Sequence, residues 1–129
     1  MFSKVQWRSL FFGWSEKRGD YMQKMKNLDE IKEAIQRSPL VLLLIKAGNC
    51  GVCEAVQFKV SELLKSYSRV KGMYVFKEDV PEMASEYVVF SAPTLLLFVE
   101  GKERYRISRF VRFDELERVL QIYEEELEV

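Results

Sequence analysis

The chemistry open to this chain is concentrated in Cys50-Gly51-Val52-Cys53, whose two cysteines are the only ones in 129 residues. Histidine is absent throughout. That removes Ser-His-Asp and Cys-His catalysis, and imidazole ligation of a metal. Two thiols at this spacing can close a small ring through a disulfide. One thiolate can attack an external disulfide, and the other can resolve the mixed disulfide that forms. Position separates the two roles. The pair falls where an apolar, strand-like run gives way to a helical pattern, so Cys50 meets a helix N-cap. First-turn N–H groups there are unpaired and the macrodipole is positive, which favours a thiolate. Cys53, one turn inside, lies on the apolar stripe and is expected to be buried. Cys50 is therefore the candidate nucleophile and Cys53 the resolving thiol.

Three other readings stay open at this point. Tetrahedral zinc wants four ligands, so a half-site here would need a second copy of the chain or carboxylates; no metal is expected. The thiols could be inert core groups, although a Gly-flanked turn suits Cys50 poorly for burial. Or the chain could keep its cysteines while serving as a binding or adaptor module with weak or no redox activity.

Composition narrows the partners. Twenty basic and 20 acidic residues give a formal net charge of zero, without the basic excess of a nucleic-acid binder or a polybasic reason to sit on a membrane. The longest strongly apolar run, Leu40 to Ile45, is far short of the roughly 20 residues of a helical span. Lys4 and Arg8 precede the apolar stretch Leu10 to Trp14, which stops at Ser15-Glu16-Lys17-Arg18, too early for a secretory signal. Two close cysteines do not staple a secreted fold. The expected home is cytoplasmic and reducing, and the expected state a monomer.

The elements that must position the pair follow from periodicity. Residues 1–21 are basic and aromatic without a clear period. They are expected to be a flexible extension or an upstream-start addition, or else an aromatic arm that packs on this domain or a partner. Asn27 with Glu30 three later fits a capping box, and Leu28, Ile31, Ala34 and Ile35 recur at helical spacing until Ser38-Pro39. Leu40 to Ile45 reads as a central strand buried on both faces. After the Gly48–Gly51 turn, Cys53, Val56, Val60, Leu63, Leu64 and Tyr67 form a helical stripe. Lys71-Gly72 is expected to turn the chain into a parallel strand, Met73 to Phe76. Asp79 is expected to cap a short helix from Pro81 to Tyr87, and Thr94 to Val99 with Glu103 to Ile107 to form a hairpin about Glu100-Gly101-Lys102. Asp114, with Glu117, is expected to cap a last helix striped by Leu116, Val119, Leu120, Tyr123 and Leu127; Glu124-Glu125-Glu126 reads as its solvated end. The pattern is α/β, a mixed four- to five-stranded sheet with helices on both faces.

Strand, Cys-x-x-Cys and helix in this order resemble thioredoxin. Pro81, Ala84 and Tyr87 match that family's short third helix, Ala92-Pro93-Thr94-Leu95-Leu96-Leu97-Phe98 its cis-proline strand, and Glu100-Gly101 its hairpin turn. The resemblance covers Met22 to Val129, a domain of 22–129, and implies the thioredoxin fold and thiol–disulfide oxidoreductase activity. It implies that Pro93 is cis beside the cysteines and that the backbone of Ala92 pairs with an extended substrate. Asn49, Gly51, Val52, Ala92 and Pro93 are then the substrate-binding residues. The substrates implied are protein or small thiol disulfides, served by an external reductant and no cofactor. The chain also departs from the family. Asn49 and Val52 replace its Trp and Pro, Leu44 its buried Asp, Glu54 its Lys, Phe58 its helix-kinking Pro, and Ser108 or Arg109 its last-loop Gly. Glu54 and Lys46 are the ionisable side chains nearest the pair in sequence.

Overall fold

All seven residues of Leu40–Lys46 are buried, and the rest of the fold is arranged around that strand. The structure is a computed structural model that describes residues 22–127; the N-terminal extension lies outside the described residues. In order the elements are β1 (Met22–Lys24), α1 (Leu28–Arg37), β2 (Leu40–Lys46), α2 (Gly51–Leu64), β3 (Lys71–Phe76), α3 (Glu82–Tyr87), β4 (Thr94–Val99), β5 (Lys102–Ser108) and α4 (Phe113–Glu126). The five strands form one sheet in the order β1-β3-β2-β4-β5. Strands β1, β2 and β3 run parallel, while β4 is antiparallel to both β2 and β5. The mixed four- to five-stranded sheet expected from the sequence is observed with five strands, β1 being one that the sequence pattern did not mark.

Strand period two divides the core into two layers. Leu40, Leu42 and Leu44 point to the face covered by α2 and α4, where they pack with Val56, Val60, Leu64, Leu116 and Leu120. Val41, Leu43 and Ile45 point to the other face and pack with Ile31, Ile35 and Met83 of α1 and α3. A run apolar at every position is what a strand covered on both sides requires.

Several local expectations need correction. Lys71 and Gly72 do not turn the chain; they open β3, with Gly72 paired to Leu42 on one side and Met22 on the other. Neither Asp79 nor Asp114 is a cap: α3 starts from Pro81 and α4 from Arg112, both without a side-chain cap bond. Asp114 instead sits inside the first turn of α4, its Oδ1 accepting from the Glu115 N–H at 2.8 Å. Glu124 is not solvated. It is buried and accepts from the Arg69 N–H at 3.2 Å, so it ties α4 to the loop before β3. Asn27 does cap α1, accepting from the Glu30 N–H at 2.8 Å. Glu30 reaches back one residue further than a standard capping box, to the N–H of Lys26 at 2.9 Å.

Candidate active site

Pairing fixes what gathers at one end of the sheet. Ile45 of β2 lies opposite Thr94 of β4, and Thr94 lies opposite Ser108 of β5. The loop after β2, the loop before β4 and the loop after β5 therefore meet at one edge. The first carries Cys50, the second Ala92 and Pro93, the third Arg109.

Cys50 is the N-cap of α2, in an extended conformation. Its Sγ accepts a hydrogen bond from the Cys53 N–H at 3.1 Å, so a sulfur does the work that Ser or Asp does at most helix starts. Cys50 and Cys53 are joined by a disulfide with their Cα atoms 5.2 Å apart. Cys53 is completely buried, on the same face of α2 as Val56 and Val60, whereas Cys50 is only partly covered. The asymmetry expected from the sequence is present in the oxidised pair. Asn49 and Gly51 are exposed on either side of Cys50, Asn49 with φ 57°, a left-handed conformation that Asn tolerates better than most side chains. Val52 is 58% exposed. Helix α2 runs unbroken over 14 residues through Phe58.

The Ala92–Pro93 bond is cis. Pro93 is buried and Ala92 partly so. This loop is held from three sides. The Thr94 hydroxyl donates to the Ser91 carbonyl at 2.7 Å and meets the Ser108 hydroxyl at 3.0 Å. The Arg109 N–H donates to the Pro93 carbonyl at 2.7 Å. Further back, the guanidinium of Arg106 donates to the carbonyls of Tyr87 and Val88 at 2.6 and 2.8 Å, filling acceptors that the end of α3 leaves open. Glu103 holds that guanidinium in place, and its carboxyl is lowered below the ordinary range, first by the Arg106 hydrogen bond. Arg109 has φ 68°. That left-handed conformation favours glycine, so of the two candidates for the last-loop glycine position, Arg109 occupies it.

Three groups at this edge were not singled out as substrate contacts by sequence reasoning. Phe90 is 81% exposed and Phe110 83%; one lies three residues before Pro93, the other directly after Arg109. No period marks an exposed aromatic in a loop. The third is Glu78, whose Oε2 accepts from the Gly48 N–H at 3.0 Å. That bond holds the Glu78 carboxyl below its usual value and anchors the loop leading to Cys50. Leu44, at the position of the family's buried Asp, is fully buried. Among the described residues there is no group of three or more Cys, Asp or Glu side chains placed to hold a metal ion, and no helix long and apolar enough to cross a membrane.

Comparison with known proteins agrees with this geometry. The thioredoxin family pattern matches residues 22–122. A thioredoxin-like protein of Bacillus subtilis, YdfQ, is 34% identical over 109 residues, covering 81% of this chain and 97% of that one. A thioredoxin H-type of Fagopyrum esculentum is 32% identical over 88 residues, 68% of this chain and 75% of that one. Among solved structures, a mutant thioredoxin from Halobacterium salinarum superposes with a TM-score of 0.75 at 21% identity, covering 85% of this chain and 96% of that one. The oxidised mitochondrial thioredoxin 3 of Saccharomyces cerevisiae superposes with a TM-score of 0.71 at 24% identity, covering 78% and 94%. At these identities the two structures establish the fold alone.

Proposed function

This chain belongs to the thioredoxin family, and on that premise we propose that it works as a thiol–disulfide oxidoreductase with Cys50 as the attacking nucleophile and Cys53 as the resolving thiol. The observation that carries the assignment is the Cys53 N–H bonded to Cys50 Sγ at a helix N-terminus. In the reduced protein the same N–H and the helix dipole favour the Cys50 thiolate. That thiolate attacks one sulfur of a substrate disulfide. The substrate S–S bond breaks, one thiolate leaves, and Cys50 carries the other half as a mixed disulfide. Cys53 then loses its proton to solvent and attacks Cys50 Sγ. The second substrate thiolate leaves, and the Cys50–Cys53 disulfide of the structure remains. Two electrons and two protons from an external thiol reductant restore the dithiol.

Ala92 and Pro93 would receive an extended substrate segment beside the pair, with Asn49, Gly51 and Val52 forming the opposite lip. Exposed Val52, Phe90 and Phe110 on the same edge favour protein segments whose disulfide is flanked by apolar residues, which would cover these side chains. A cytoplasmic, monomeric protein reduced by a low-molecular-weight thiol or a reductase fits this reading. Family membership favours it over an adaptor without redox activity. Insulin-disulfide reduction tests it: the wild type turns over and Cys50→Ser does not. Cys53→Ser accumulates mixed disulfides instead. Full activity in Cys50→Ser would overturn the assignment.

A further inference from the structure

Lys46, the last residue of β2, is buried with 3% exposure four residues before Cys50. An ammonium taken from water is costly unless it is paired, so its partners are informative. Its Nζ lies 2.7 Å from Glu54 Oε2, donates to Gln57 Oε1, and faces the rings of Tyr74 and Phe76, each at 4.8 Å. Tyr74 and Phe76 belong to β3. Glu54 and Gln57 belong to the first two turns of α2, one and four residues beyond Cys53. The side chain therefore bridges the end of β2 and the start of α2, beneath the loop that carries Cys50.

Glu54 gives that bridge an electrostatic consequence. A carboxylate in the first turn of a helix is favourable to the helix itself. It also repels a second anion at the same terminus, and the reduced Cys50 is such an anion. We propose that Lys46 is a positioning residue of the thiol pair: its buried ammonium holds the Glu54 carboxylate and offsets its charge, so that the Cys50 thiolate keeps the stabilisation of the helix terminus. The inference rests on Cys50 being the nucleophile. The other charged groups around this end are few. Glu78 is bonded to Gly48 N–H, with Lys77 and Asp79 beside it. Lys24 of β1 faces the Phe76 ring at 5.2 Å, and Arg109 follows β5. Residues 47–53 and 88–93 bring none. Glu54 is the acid that both adjoins a cysteine and bonds Lys46.

The test uses the full chain, reduced, at low ionic strength, where an exposed carboxylate is least screened. The readout is the pH midpoint of Cys50 alkylation by iodoacetamide, resolved peptide by peptide. Lys46→Met should raise the midpoint by about 0.5–1 pH unit, the scale of one nearby uncompensated charge. It should shift the dithiol–disulfide equilibrium with glutathione about threefold to tenfold toward the disulfide. Lys46→Arg should keep the wild-type midpoint, and Lys46→Met combined with Glu54→Gln should return to it. A purely structural role would change stability and rate and leave the midpoint in place; an unmoved midpoint in folded Lys46→Met overturns the proposal, as does a double variant no different from Lys46→Met. Should Lys46→Met not fold, Glu54→Gln at an exposed position decides alone: the midpoint must fall, because the ammonium is then uncompensated, and no change overturns the proposal. Failure of the nucleophile assignment would show separately, as wild-type Cys50 reacting no faster than Cys53.

Discussion

The backbone N–H of Cys53 points at Cys50 Sγ from 3.1 Å, so the buried cysteine's own amide serves the exposed one. The same geometry predicts unequal thiols after reduction. Cys50 should alkylate at pH values below those of an ordinary thiol, because a helix terminus stabilises its thiolate. Cys53, fully buried on the face of α2 that carries Val56 and Val60, should stay unlabelled until the protein unfolds. Peptide mapping after a short iodoacetamide pulse measures both. Equal labelling in the native state would contradict the division of roles.

Glu78 gives the loop before Cys50 a pH dependence whose sign is fixed. Its carboxyl is lowered from the ordinary 4.5, chiefly by the hydrogen bond from Gly48. A depressed folded value means the charged form is favoured by folding. The contribution is then fully present well above pH 4.5 and fades as pH falls through the lowered folded value. The thermal midpoint of the wild type minus that of Glu78→Ala should therefore be greatest near neutrality and shrink in the acid range below about pH 4.5. Because the side chain is exposed, the difference is expected to be small throughout. A difference that grew toward low pH would refute the anchoring role.

Arg109 can be relieved of its left-handed backbone. A non-glycine residue there costs roughly 1–2 kcal/mol, and glycine returns about 0.5–1 kcal/mol of that as lost chain entropy. Arg109→Gly should stabilise the protein by on the order of 0.5–1 kcal/mol, since the N–H to the Pro93 carbonyl belongs to the backbone and survives. The Arg109 backbone adjoins Pro93, so the variant also takes a long, charged, exposed side chain away from a position next to the expected substrate segment. Insulin reduction should quicken while reduction of a small aromatic disulfide stays the same. A lowered thermal midpoint would show that the guanidinium makes a stabilising contact of its own.

What the sequence made legible was governed by periodicity and by the local physics of helix starts. Leu40 to Ile45 announces a doubly covered strand because a short apolar run with β-branched members, bounded by Pro39 and Gly48, suits a buried strand better than a helix, and Cys50 announces a cap because the helical stripe begins right after it. Elements that depend on distant partners were not legible. Met22–Lys24 is too short to show an alternation, and becomes a strand only because β3 is there to pair with it. Lys71-Gly72 carries turn-like residues, yet β1 and β2 on either side draw Gly72 into the ladder. The capping pattern at Asp79 and Asp114 failed because a helix can start at Pro81, or at Arg112, with no side-chain cap at all. Lys46 was legible as one of the two ionisable side chains nearest the pair in sequence, but not as a buried one. Only the fold brings Glu54, Gln57, Tyr74 and Phe76 around it.

Leu44 sets the last expectation. It is fully buried in the layer under α2, paired in register with Tyr74 and Leu95, at the position where the family carries a buried carboxyl. Resolution of the mixed disulfide needs Cys53 as a thiolate, and burial among apolar groups raises a thiol's pKa. The one buried carboxyl among the described residues is Glu124, bonded to the Arg69 N–H at the opposite end of β3, so Cys53 is expected to release its proton to solvent. Disulfide reduction should then be slow near neutral pH and rise steeply with pH. Leu44→Asp supplies a local acceptor and should speed the reaction near neutrality while flattening the rise. It should also destabilise the protein by on the order of 2–5 kcal/mol, because a leucine's packing is lost and a carboxyl is buried in its place. Rate profiles of both proteins from about pH 6 to about 9 on one disulfide substrate, alongside denaturant unfolding, measure the two effects independently. A wild type already fast and flat between about pH 6 and 8 would mean that the Cys53 proton leaves by another route. Glu54 would then be the group to substitute next, because its carboxylate is the one already fixed, through Lys46, at the base of the same helix turn.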